Sequence, residues 1–145
     1  MFKRILLPVD GSEGAFAALK VAVAMQKTHD AELMILSVYR HHSLREASMS
    51  MVRPRDPEHM DDLMQSYSKE VAESFRKYAI DQGCPGVRAF VKSGHTAKTI
   101  VEFAEKNKVE LIIIGSRGLG DAETFLVGSV SQKVVGMSKI PVLVV

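Results

Sequence analysis

Two stretches of this 145-residue chain carry residue types whose spacing suits binding chemistry. In the first, Gly115-Ser116-Arg117-Gly118 is followed after nine residues by Gly128-Ser129, and a helical pattern with Val130, Val134 and Met137 on one face begins there. Glycine lets the backbone approach a ligand with no Cβ in the way. The unpaired N–H groups of a first helical turn, with Ser129 as its N-cap, point at whatever sits before them. The chemistry that fits is anion binding, and phosphate is the common occupant. Any strand-to-helix connection uses a glycine or two, but an ordinary one is roughly two to six residues long and this one is about twice that. Extra loop at the carboxyl end of a strand commonly serves function.

The second stretch is Asp10-Gly11-Ser12, at the end of the apolar run Ile5-Leu6-Leu7-Pro8-Val9. Asp10 suits hydrogen bonds from ribose hydroxyls, a metal held on phosphates, or the cap of the first helix, and its position alone leaves all three open. The glycine loop is not a P-loop: the glycine five residues before Gly128 is missing, and no lysine follows it. It is not the dinucleotide fingerprint either, which belongs after the first strand. A mononucleotide held by backbone amides is the reading left.

The elements that must position these stretches follow from apolar periodicity. Strands are expected at Ile5 to Val9, Glu32 to Val38, Val87 to Val91, Leu111 to Ile114 and Ile140 to Val145. Their continuous apolar runs suit strands buried on both faces, and Pro8, with no ladder donor, is expected at a strand end. Helices are expected from about Ser12 to Thr28, from Pro57 (with Asp56 as N-cap) to Gly83, from near Thr96 through Ala104, and over the segment after Ser129. In the second helix, Met60, Met64, Tyr67, Val71, Phe75 and Tyr78 form a stripe expected to be core. Strand and helix alternate, which argues for a parallel, doubly wound five-stranded sheet of order 3-2-1-4-5 in a single domain, 1–145. Its switch point lies between strands one and four, where ligands of such sheets bind. The crevice there is lined by Asp10 to Ser12 and by Gly115 onward, so the two stretches meet.

Composition narrows the classes. A formal net charge of +2 does not argue for nucleic acid or an anionic membrane surface. No apolar run approaches the roughly 18 residues of a membrane span. The single cysteine, Cys84, rules out an internal disulfide framework, fits a reducing compartment, and reads as a spectator beside Gly83 and Pro85. With no signal-peptide pattern in Met1-Phe2-Lys3-Arg4, a cytoplasmic location is expected. From Tyr39 to Asp56 there is no sustained period: Arg40, Arg45, Arg53 and Arg55 form a solvated face or a lid over an anion. His41, His42 and His59 have no recognisable metal spacing. His95 could meet a phosphate but reads more simply as an exposed loop residue.

Ile5 to Ser12 (I-L-L-P-V-D-G-S), the G-x-x-G, nine residues, G-S pattern from Gly115 to Ser129 with Val130-Ser131, and the closing Ile140-Pro141-Val142-Leu143-Val144-Val145 resemble the universal stress protein family, in its ATP-binding type. The resemblance spans the whole chain. It implies an adenine-nucleotide alpha-hydrolase-like (Rossmann-like) sandwich that binds ATP with magnesium. The ends of strands one and two, Pro8, Val9, Asp10 and Val38, would lie at ribose and adenine. Gly115, Arg117, Gly118, Gly128, Ser129, Val130 and Ser131 would surround the phosphates. A homodimer is also implied. This chain departs from the pattern at Asp121 and Glu123, where members often carry glycine or a basic residue; carboxylates near a triphosphate repel it unless they face solvent or share a magnesium ion.

The dimer has a physical argument of its own. Val142 to Val145 would be an apolar, uncharged edge strand, which pairing with a second copy across a two-fold axis would cover. Three functions follow: an ATP-dependent stress or signalling dimer that presents itself to an unknown protein partner, a slow magnesium-dependent ATPase or phosphotransferase on the same site, and a nucleotide-independent scaffold dimer. The sequence carries no motif for a dedicated catalytic base.

Overall fold

The computed structural model describes residues 1–40, 57–116 and 128–145. Strand and helix alternate along them: β1 (Arg4–Val9), α1 (Glu13–His29), β2 (Glu32–Tyr39), α2 (Pro57–Asp81), β3 (Arg88–Ser93), α3 (Thr96–Lys106), β4 (Leu111–Ile114), α4 (Ser129–Met137) and β5 (Val142–Val144). The strands form one sheet in the order β3-β2-β1-β4-β5, and every neighbouring pair is parallel, as the alternation predicts.

The uninterrupted apolar runs bury both faces of the sheet. Ile5, Leu7, Leu33, Ile35 and Ile113 pack under α1 and α2, while Leu6, Met34, Leu36, Ile112 and Ile114 pack under α3 and α4. Each such aliphatic side chain contributes about 1.5–3 kcal/mol by leaving water. Alanines at 15, 18 and 22 let α1 lie close on the sheet, and all three are buried.

Pro8 does not sit at the last strand position but inside β1, opposite Leu36. In a parallel ladder, alternate residues turn their backbone groups to alternate sides. The Lys3 carbonyl accepts from Glu32 of β2 and the Arg4 carbonyl from Glu110 beside β4, so Pro8, in phase with Arg4, faces the β4 side. The β1–β4 register runs only from Ile5↔Leu111 to Leu6↔Ile112, whereas β1 and β2 stay paired over six residues. The missing N–H of Pro8 therefore falls where that ladder has already ended.

Several boundaries and faces differ from expectation. β3 starts at Arg88 and runs through Lys92 and Ser93, because β2 continues to offer Val38 and Tyr39 as partners. β5 is shorter than the run from Ile140: the Ser138 hydroxyl accepts from the Ile140 N–H at 3.0 Å and donates to its carbonyl at 2.8 Å, holding that residue in a turn. In α2, Val71 and Phe75 are core, but Met60 and Met64 are only partly buried and Tyr67 is exposed. A 25-residue helix is roughly 37 Å long, against about 26 Å for the eight-residue β2, so its first turns pass beyond the sheet. In α4 only Ser131 and Val134 are buried; Val130 and Met137 lie outward, since this short helix covers the sheet near its edge.

Candidate functional site

Past Leu6 and Ile112, β1 and β4 are no longer paired, and a cleft of about 220 Å³ opens at their carboxyl ends. Pro8, Val9, Asp10, Val38, Gly115, Gly128, Ser129, Val130 and Ser131 all line it. Nine of the eleven residues expected at a site thus come together at the switch point. The other two, Arg117 and Gly118, lie outside the described residues, as do Asp121, Glu123, Arg45, Arg53, Arg55, His41, His42 and Asp56.

The turn after β1 is built by its own polar side chains. The Ser12 N–H donates to Asp10 Oδ1 at 3.0 Å, and Ser12 Oγ accepts from the Ala15 N–H at 3.1 Å. Ser12, not Asp10, is therefore the N-cap of α1, while Asp10 braces the turn with its carboxyl group at the cleft. Gly11 has φ +82° and faces away from the cleft, toward Tyr67 and Val71. A side chain is strained at that φ.

On the other side of the cleft the chain leaves β4 at Gly115. A Cβ there would lie 2.6 Å from the carbonyl carbon and oxygen of Gly14, so only glycine lets α1 and the end of β4 touch. The two feet of the following loop are joined twice: the Gly128 N–H donates to the Ser116 carbonyl, and Ser131 Oγ donates to the Gly115 carbonyl at 2.5 Å. Ser129 is not the N-cap of α4. Gly128 holds that place, with no side-chain cap, and the first intrahelical bond runs from the Gln132 N–H to the Gly128 carbonyl. The N–H groups of Ser129, Val130 and Ser131 thus have no acceptor inside the helix, at a wall of the cleft. Such donors, with the positive end of the helix dipole, suit an anion.

The rest of the cleft is largely apolar: Ala15, Leu36, Ile100 and Ile114, with Thr96 at the start of α3. None of these five was named from sequence as a site residue. Thr96 and Ile100 had a signal, since they lie four apart on a helix that starts at the carboxyl edge of β3. His95 occupies the N-cap position of α3 without capping it; it is exposed and accepts at Nδ1 from the Arg40 guanidinium, 3.3 Å away. It does not line the cleft.

Backbone phase supplies one more group. Glu32 turns its N–H to β1, so the even-numbered residues of β2 face that strand. The Val38 carbonyl is the last of them, and it points past the end of β1 at Val9.

The model of the universal stress protein family matches residues 1–145. Universal stress protein YxiE of Bacillus subtilis is 34% identical over 100% of this chain and 99% of its own length. Universal stress protein UspA from Lactobacillus plantarum has the same fold, with a TM-score of 0.84 at 24% identity over 99% of this chain and 97% of that one. Two further structures of this fold hold adenine nucleotides: a universal stress protein in complex with cAMP (TM-score 0.71, 22% identity, 99% and 96% coverage) and one from Archaeoglobus fulgidus in complex with dAMP (TM-score 0.70, 18%, 99% and 97%). Among the described residues no helix is long and apolar enough to cross a membrane. In sequence and in fold, the chain belongs to the universal stress protein family.

Proposed function

We propose that this chain binds an adenine nucleotide, ATP above all, in the cleft between β1 and β4, and acts as a nucleotide-dependent stress-response or signalling homodimer in the cytoplasm. The observation that carries the reading is the meeting in one crevice of an uncapped helical first turn, a carboxylate and an apolar shelf. The N–H groups of Ser129, Val130 and Ser131 hold phosphate oxygens. Asp10 accepts from ribose hydroxyls, and Leu36, Val38 and Ile100 cover the faces of the base. The Val38 carbonyl accepts from an exocyclic amine, which adenine has and hypoxanthine lacks. The cAMP and dAMP complexes of the two relatives support the adenine class.

Magnesium enters with the triphosphate. Among the described residues Asp10 is the one carboxylate lining the cleft, and it is the described side chain that would approach an ion held on the phosphates. The dimer forms through β5. Leu143 is 38% exposed on this edge strand, and Val135 and Met137 of α4 are exposed at 50% and 47%, apolar surface of the kind that a partner covers.

Chromatography of the nucleotide released on denaturing gently purified protein, with calorimetric titration of the emptied chain by magnesium-ATP, tests the reading. Bound adenine nucleotide or micromolar affinity, weakened at least tenfold by Asp10→Ala, is the expected result. No released nucleotide and no heat would overturn it.

A further inference from the structure

We infer that Ser131 is a positioning residue of the phosphate cradle, acting through the Gly115 carbonyl, and that its side chain makes no bond to phosphate. This rests on the reading of the cleft as a nucleotide site, and it changes the role that family resemblance implies for Ser131. Fully ionised phosphate oxygens accept hydrogen bonds, so a serine that binds them must donate, and a hydroxyl has one proton. That of Ser131 is given to the Gly115 carbonyl at 2.5 Å, and the residue is 4% exposed. Turning it toward a ligand would leave the Gly115 carbonyl without this donor.

The carbonyl is a fixed point. Gly115 is packed against the Gly14 backbone, and the next residue's N–H donates to the Val145 carbonyl at 2.7 Å. The serine hydroxyl therefore ties the first turn of α4 to the end of β4, and the Gly128 N–H bond to the Ser116 carbonyl closes beside it. The clasp sets where the three open amides of that turn point. Ser129 differs: it is exposed and its side chain has no bond to a described residue, so of these two serines it is the one whose hydroxyl can donate to a ligand.

Titration of AMP, ADP and ATP into wild type, Ser131→Ala and the isosteric pair Ser131→Thr and Ser131→Val separates the roles. A clasp acts on the cradle as a whole, so Ser131→Ala and Ser131→Val should weaken all three nucleotides by a similar factor, about five- to tenfold, while Ser131→Thr keeps wild-type affinity. Amide exchange at Gly128, followed by NMR without nucleotide, should be faster in the Ala and Val variants and restored in the Thr variant. If Ser131→Ala fails to fold, the Thr and Val pair, equal in shape, decides. Losses confined to one nucleotide, or an unchanged Gly128 exchange rate in the variants, would overturn the clasp. If the wild-type chain binds none of the three, the nucleotide reading falls by itself, and Gly128 exchange alone judges the clasp.

Discussion

The Ser68 hydroxyl donates to the Ser37 hydroxyl at 2.5 Å, and both side chains are buried between α2 and β2. The bond joins α2 directly to β2, beside the apolar packing of Val71 and Phe75. Ser68→Ala leaves the Ser37 hydroxyl buried and unpaired, at an expected cost of about 1–3 kcal/mol. Removing both hydroxyls should cost less than the sum of the single changes. Urea unfolding of both single variants and the double variant measures the coupling; strict additivity would mean that the two hydroxyls do not interact.

Gly115→Ala brings a methyl group to 2.6 Å from the Gly14 backbone, which cannot yield as a flexible side chain would. The end of β4 and the start of α1 must separate. A loss of about 1–3 kcal/mol is expected from such overpacking, together with weaker nucleotide binding. Thermal unfolding and titration on the same variant check both, and unchanged affinity would show that the α1–β4 contact does not shape the cleft.

Asp10 and Ser12 separate cap from ligand. Ser12→Ala removes the acceptor for the Ala15 N–H and should cost about 1 kcal/mol of stability. Asp10→Asn keeps an oxygen for the Ser12 N–H while removing the charge, so this bond of the turn should survive and the variant should stay folded. Nucleotide affinity in that variant then reports the carboxylate alone, by titration with and without magnesium.

Cys84 is fully buried, and its Sγ donates to Gln26 Oε1 at 3.1 Å. Burial raises the thiol pKa above its ordinary 9.0, with Lys27 opposing it. Above that ordinary value the unfolded chain gives up the proton while the folded chain keeps it, so stability should fall as pH rises from about 9 toward the native pKa. Below pH 9 this contribution is constant. Denaturant midpoints from pH 7 to 10 should decline more steeply in wild type than in Cys84→Ala, and iodoacetamide should label the native chain slowly.

Leu143→Lys puts a charge on the exposed side of the edge strand. If β5 pairs with its copy, the variant should be monomeric by light scattering at micromolar concentration where wild type is dimeric. A monomeric wild type would sink the dimer.

Strand order and the switch point were legible because the runs at Ile5, Leu33 and Leu111 are apolar on both faces and alternate with helical periods. A polypeptide with that alternation has few ways to bury them. The glycine and serine spacing around the cleft was legible for a similar local reason: turns and helix starts impose residue types on single positions. What the chain could not reveal by itself were relations across distance. Which serine caps which helix depended on backbone geometry at Ser12 and Gly128, and the outward position of Tyr67 depended on where β2 stops beneath α2. Thr96 and Ile100 joined the site only when α3 was seated on the sheet. The sequence by itself determined the elements, their order and the loops that meet at the switch point, because periodicity and turn chemistry are local. The tertiary structure decided which groups face the cleft and which hydroxyls are already committed, because a hydrogen bond such as Ser131 to Gly115 exists only once β4 and α4 are packed together.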